Sequence, residues 1–79
     1  MKVHIGHLIK EKLDAKGKSV EWLAEKINHT PAYCKKLFES TNVDVYLLID
    51  ICKLLGYNFF VDLSNEFEEL MAARGQEIH

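Results

Sequence analysis

Residues 20–39 read VEWLAEKINHTPAYCKKLFE and contain two short helical patterns separated by the sequence NHTP. Ser19 precedes the first pattern as an N-cap. Thr30 caps the second, in which Pro31 takes the first helical position, where its missing N–H costs nothing. Asn28 tolerates the left-handed conformation that a tight turn between helices requires. Two short helices joined in this way form a helix-turn-helix unit.

Helical spacing also predicts which side of this unit faces inward. Ala24 is small, so a second helix can cross close to it. Trp22 is expected to be half-buried against a neighbouring helix, and His29 to fill the turn with a ring nitrogen bonded to the backbone. The residues predicted to face inward are Leu23, Ala24, Ile27, Cys34 and Leu37.

The chain has 79 residues, which predicts a single small domain over residues 1–79. Its 48% hydrophobic and 28% charged residues are typical of a soluble globular protein. It has no run of eighteen apolar residues, and its N-terminus does not resemble a secretory signal. We therefore expect a cytoplasmic protein, in which Cys34 and Cys52 are reduced core cysteines.

The charge is divided unevenly along the chain, although the net charge is only −2. Residues 1–39 carry eight lysines against five acidic residues, a net charge of +3. Residues 40–79 carry one lysine and one arginine against seven acidic residues, a net charge of −5. Such a chain can present a positive face while it stays acidic overall.

Two further helices flank the helix-turn-helix unit. The first is predicted from Ile5, Leu8, Ile9 and Leu13 and ends at Gly17. The other is capped by Asp44 and closed by Gly56 in the usual position after a helix. Its apolar stripe consists of Leu47, Leu48, Ile51, Leu54 and Leu55.

The segment YNFFVDL at residues 57–63 has two interpretations. Alternation of Phe59, Val61 and Leu63 with polar neighbours suits a short strand that a two-fold partner chain could extend. The favoured alternative is a helical turn whose phenylalanines close the base of the core. A last acidic helix is predicted to follow, capped by Asp62 or Ser64, with its end at Gly75 and fraying over residues 76–79. Its apolar positions are Leu63, Phe67, Leu70 and Met71.

Residues 4–63 resemble the Cro/C1-type (XRE) helix-turn-helix family of transcriptional regulators. The resemblance rests on IGHLIKEKLDAKGKSVEWLAEKI, on TPAYCKKLFES after the turn, and on VDVYLLIDICKLLGYNFF. It implies an all-α, lambda-repressor-like bundle of four or five helices, followed by the acidic C-terminal segment 64–79. It also implies a homodimer that binds palindromic double-stranded DNA, with helix three in the major groove.

By the same resemblance, particular residues are expected to contact DNA. Lys36 is the best candidate for guanine, since a lysine can donate to O6 or N7, while Pro31 and Ala32 can only pack against a thymine methyl. The expected base-reading residues are Thr30, Pro31, Ala32, Lys35 and Lys36. The expected contacts to the DNA backbone are Lys16, Lys18, Ser19, Tyr33, Thr41 and Asn42.

Several positions depart from the family pattern. Many members have a glutamine directly after the Ser19 position, where it holds a phosphate; here Val20 cannot donate a side-chain hydrogen bond. Glycine is usual at Asn28, and a β-branched apolar residue at His29. An arginine–glutamate pair found in many members corresponds to the apolar residues Leu13 and Phe38, which suggests a repacked core with the same fold.

Nothing in the sequence predicts an enzyme, a metal site or a cofactor. His4 and His7 lie three residues apart, but no Cys-x-x-Cys or His-Glu-x-x-His pattern accompanies them. No nucleophile comes with a base and an orienting group. The alternative to a DNA-binding regulator is a protein-interaction module, or an antitoxin-like partner, that uses the acidic C-terminal helix against a basic partner.

Overall fold

The computed structural model describes residues 3–73, and every regular element within them is an α-helix. The all-α prediction is therefore confirmed, and the second, third and fourth helices begin where the sequence predicts. α3 ends one residue before the predicted Glu39. The helices are α1 Ile5–Ala15, α2 Val20–Ile27, α3 Pro31–Phe38, α4 Val45–Leu55 and α5 Phe59–Ala73.

The first four helices begin at side-chain caps. His4, Ser19, Thr30 and Asp44 each accept a hydrogen bond from the backbone N–H three residues later, over 3.0 to 3.2 Å. Each cap satisfies one of the N–H groups that a helix start leaves without an internal partner. The local sequence thus fixes where these helices start.

The predicted left-handed turn residue is confirmed. Asn28 has φ 63° and ψ 44°, and it is the only non-glycine residue with positive φ in the described chain, residues 3–73. The following His29 N–H returns to the Ala24 carbonyl over 2.9 Å, which closes the end of α2. This turn sets the direction in which α3 leaves α2.

The core receives side chains from all five helices. The largest fully buried ones include Leu23 of α2 and Cys34 of α3, at the crossing of the helix-turn-helix unit. Leu13 and Phe38 are both buried, so this apolar pair is part of the core. The other large, fully buried side chains are Ile9, Leu13, Ile51, Leu55 and Phe59.

α1 holds the far end of α3 through Gly6. The Gly6 N–H donates to the Ser40 carbonyl over 3.1 Å. A Cβ atom at position 6 would collide with the carbonyl oxygens of Leu37, Phe38 and Ser40. Glycine therefore allows a close backbone approach that fixes the orientation of α3 on the bundle.

The segment at residues 57–63 is helical from Phe59 onwards, so the strand interpretation is wrong. Phe59 is fully buried and closes the base of the core, as the favoured alternative predicts. A separate last helix capped at Asp62 or Ser64 is also wrong, because Asn58 accepts the Phe60 N–H over 3.0 Å and starts α5 earlier. The predicted end at Gly75 and the fraying over 76–79 lie outside the described residues.

Two hydrogen bonds join the first half of α5 to neighbouring residues. The Tyr57 hydroxyl donates to Asp62 over 2.6 Å, and the Val3 N–H donates to Glu66 over 3.1 Å. Several large apolar side chains along the helix are exposed: Val61 51%, Leu63 36%, Phe67 60% and Leu70 47%. In the described chain, no helix is long and apolar enough to span a membrane.

Candidate nucleic-acid interface

α3 presents all of the predicted base-reading residues on its solvent side. Cys34, Leu37 and Phe38 are buried and hold the helix against the bundle. Because these residues occupy one side of an eight-residue helix, the remaining side chains face outward. The exposed residues are Thr30, Pro31, Ala32, Tyr33, Lys35 and Lys36.

The two lysines are available for a ligand. Lys35 and Lys36 form no salt bridge with any residue between 3 and 73. No acidic residue occurs in the thirteen positions between Glu25 and Glu39, so the local potential on this side is positive. Ala32 lies four residues before Lys36 and shares its side of the helix. The centre of the exposed face therefore combines a small residue and a cation.

In the loop between α1 and α2, the two lysines that are predicted to contact phosphates, Lys16 and Lys18, lie in different places. The Lys18 ammonium lies 5.1 Å from the centroid of the Trp22 ring, in a cation–π contact beside the start of α2. Lys16 is exposed, but its ammonium lies close to Gly56 at the end of α4. The structure thus brings Lys18 to Ser19 and places Lys16 towards the negative end of another helix.

Ser19 keeps a donor while it caps α2. Its hydroxyl oxygen accepts the Trp22 N–H over 3.0 Å, which leaves the hydroxyl proton for another acceptor. Val20 is half-buried and packs against the core. It therefore completes the packing of α2 but offers no side-chain hydrogen-bond donor directly after Ser19.

The loop after α3 is closed by its own hydrogen bonds. The Ser40 hydroxyl donates to the Asn42 carbonyl over 2.6 Å and accepts the Asn42 N–H over 3.0 Å. Thr41 and Asn42 are both exposed. These two predicted backbone contacts therefore lie on a short loop of fixed shape directly beyond α3.

His29 does not fill the turn as predicted. Its ring instead stacks on the ring of Tyr33, with the centroids 3.9 Å apart and the planes 11° from parallel, and both residues are exposed. The turn itself is closed by the His29 backbone N–H. The spacing of two aromatic residues by four positions across the helix start is the pattern that could have indicated this pair.

The other histidines and the cysteines are explained by local structure. His4 caps α1 and stacks on His7 at 3.6 Å, and His7 lies 3.7 Å from Glu39. Within residues 3–73 there is no group of three or more side chains that could hold a metal ion. Both cysteines are free thiols, and burial raises the pKa of the Cys34 thiol.

The comparisons with known proteins add no relatives: the chain matches no protein-family model, and no curated protein or solved structure shows significant similarity to it.

Proposed function

We propose that this protein is a sequence-specific double-stranded DNA-binding transcriptional regulator that acts as a homodimer. The observation that carries the proposal is the exposed face of α3, on which two lysines that form no salt bridge within residues 3–73 lie one turn beyond the small residues Pro31 and Ala32. An α-helix fits the major groove, which is about 12 Å wide, when its outer side chains are small or flexible. Buried residues on the opposite side hold this helix rigidly to the bundle.

In this proposal Lys36 donates to a guanine, and Pro31 with Ala32 packs against thymine methyl groups. Thr30 and Lys35 lie beside them on the same exposed surface. Ser19 and Lys18 hold one phosphate region at the start of α2, and Thr41 with Asn42 holds another beyond α3. Lys16 contributes to the positive potential near the duplex.

The homodimer is supported by the exposed side of α5. Leu63, Phe67 and Leu70 are exposed and follow each other at intervals of four and three residues, which is the spacing of a helix-pairing seam. Asp62 and Glu69 fall on the other side of the helix by the same periodicity. A second copy could therefore bury the apolar stripe without opposing those carboxylates.

DNA binding is tested by fluorescence anisotropy over a salt series, with the duplex upstream of the protein's own gene and a shuffled duplex as competitor. We expect binding that survives the competitor and weakens steeply with salt, by a slope of about −0.9 in log K for each phosphate contacted. Absence of binding at low salt, where electrostatic attraction is strongest, would overturn the proposal.

The dimer is tested by sedimentation of Phe67→Lys, which introduces a charge into the proposed seam. We expect the variant to sediment as a monomer, because an unpaired charge in an apolar interface is costly. Val45→Lys is the matched control, since Val45 is 54% exposed on α4, outside the seam. A wild-type protein that is already monomeric at the concentration that binds DNA would contradict the homodimer.

A protein-interaction module is the second candidate function, and the exposed face of α5 favours it. Large exposed apolar patches on a folded domain commonly mark sites of interaction with another protein. Residues 59–73 contain four acidic residues and no basic one, which suits a partner with a basic rim. A protein of this kind would give no anisotropy change with any duplex.

A further inference from the structure

We propose that His29 and Tyr33 together form a contact for a backbone phosphate of duplex DNA, beside the base-reading face of α3. The inference rests on the proposed DNA-binding function and assigns it a site. The sequence predicts no DNA contact for His29, and Tyr33 alone is expected to contact the DNA backbone. The stacked pair turns two separate side chains into one prearranged donor surface.

The backbone of both residues is fixed by hydrogen bonds, and their rings are stacked on each other. The His29 N–H is bonded to the Ala24 carbonyl over 2.9 Å, and the Tyr33 N–H is bonded to the Thr30 hydroxyl over 3.1 Å. The ring planes are 11° from parallel at a centroid distance of 3.9 Å. Because backbone and rings are ordered before a ligand arrives, less conformational entropy is lost when it binds.

The pair does not belong to the hydrophobic core. Neither residue is part of the buried cluster or of the side chains packed against it. The phenol and the imidazole form no hydrogen bond with another group in residues 3–73. Both can donate a hydrogen bond, and the stack covers the ring faces that an exposed aromatic would otherwise leave in water.

The charge around the pair favours an anion. Tyr33 lies three residues before Lys36, so the two share a side of α3. The stretch between Glu25 and Glu39 contains three lysines and no acid. Hydrogen-bond donors next to cations suit a phosphate oxygen, which accepts hydrogen bonds from tyrosine and from histidine. This contact would also compensate for the donor that Val20 does not supply.

The experiment compares Tyr33→Phe and His29→Phe, which retain an aromatic ring and remove the donor. Affinities are measured by anisotropy for an operator selected from a random library and for a duplex of random sequence. We expect each variant to bind both duplexes more weakly than the wild type by the same factor, roughly tenfold, because a hydrogen bond to a charged group is lost. Tyr46→Phe is the matched control, since Tyr46 is 77% exposed on α4, and it should change neither affinity.

The double variant sharpens the test. If both donors bind one phosphate, the double variant should lose less affinity than the product of the two single-variant losses, because the effects of contacting residues on binding free energy are not additive. Unchanged affinities in both variants, or a loss confined to the operator, would overturn the phosphate contact while the DNA-binding function stands. If the wild-type protein binds neither duplex, the proposed function fails with it.

Discussion

The helix-turn-helix unit and α5 differ in how much of their apolar side chains is exposed to solvent. In α2 and α3 the large apolar residues other than Tyr33 are buried or half-buried, and the exposed side of α3 carries lysines. In α5 Phe59 is fully buried, whereas Phe67, two turns later, is 60% exposed on an acidic helix. The first region is complete as a folded surface, and the second retains an apolar stripe that the single chain does not cover.

The difference suits the helix-turn-helix unit and α5 to two different kinds of ligand. A rigid surface with small residues and cations can meet a charged, grooved ligand without rearrangement. An exposed apolar stripe instead gains free energy when another protein surface removes it from water. The two regions should therefore respond differently to equivalent substitutions, and the following predictions use matched pairs of residues to test that.

The largest expected effect comes from the two phenylalanines of α5. Phe59→Ala should lower the free energy of unfolding by about 3–5 kcal/mol, because it removes a fully buried aromatic side chain and leaves a cavity. Phe67→Ala should change the unfolding of the monomer by less than about 0.5 kcal/mol. Urea denaturation followed by circular dichroism measures both at a low protein concentration.

Equal losses for the two variants would show that Phe67 is buried in the folded protein in solution. Repeating the titration at high protein concentration then separates a partner copy from a rearranged monomer. Only a partner copy makes the midpoint of the wild-type transition depend on concentration.

The next effect concerns the exposed lysines. Lys36→Ala should weaken operator binding by roughly 1–3 kcal/mol and relax the preference at one base pair, because a base-edge donor is lost. Lys53→Ala, at an exposed lysine near the end of α4, should leave the preference unchanged. Selection from a library randomised at each operator position measures both. An identical operator preference in Lys36→Ala and wild type would remove Lys36 from the base-reading residues.

The turn between α2 and α3 offers a smaller effect. Asn28→Ala should destabilise the fold by about 1–2 kcal/mol, since alanine adopts the left-handed conformation at φ 63° less readily. Asn28→Gly keeps that conformation accessible and is the matched control. Thermal unfolding measures both. A similar melting temperature for the alanine and glycine variants would mean that the turn does not depend on this backbone conformation.

The first four helices could be predicted because their signals are local. Caps at Ser19, Thr30 and Asp44, and the left-handed Asn28, act within one turn of the residues that they control. The favoured helical turn at residues 57–63 is confirmed, but the start of α5 was missed because the last helix was assigned a cap at Asp62 or Ser64 instead of Asn58. Tertiary context decides such short segments, whose apolar residues fit either period.

The candidate site could be predicted as a set of exposed residues on α3, since the buried side of that helix follows from its spacing. The contact between His29 and Tyr33 was missed, although the four-residue spacing of the two rings could have indicated it, because the ring direction of a turn residue does not follow the helical periodicity. The position of Lys16 was missed for a similar reason, since a long side chain in a loop reaches whichever helix end lies nearby.

The smallest expected effect tests whether the missing donor at position 20 limits DNA binding. Val20→Gln should strengthen binding to every duplex by about 0.5–1.5 kcal/mol, because an amide at the start of α2 can donate to a phosphate without reading a base. Val45 also occupies the first position of its helix, α4, so Val45→Gln is the matched control and should leave DNA affinity unchanged. Anisotropy with operator and random duplexes measures both.

A gain in affinity restricted to the operator would contradict a phosphate contact. A gain in both variants would show that any glutamine at a helix start has this effect. A gain in affinity for both duplexes that occurs in Val20→Gln alone would show that α2 lies against the DNA backbone. The helix-turn-helix unit, and not α5, would then be the part of the molecule that contacts DNA.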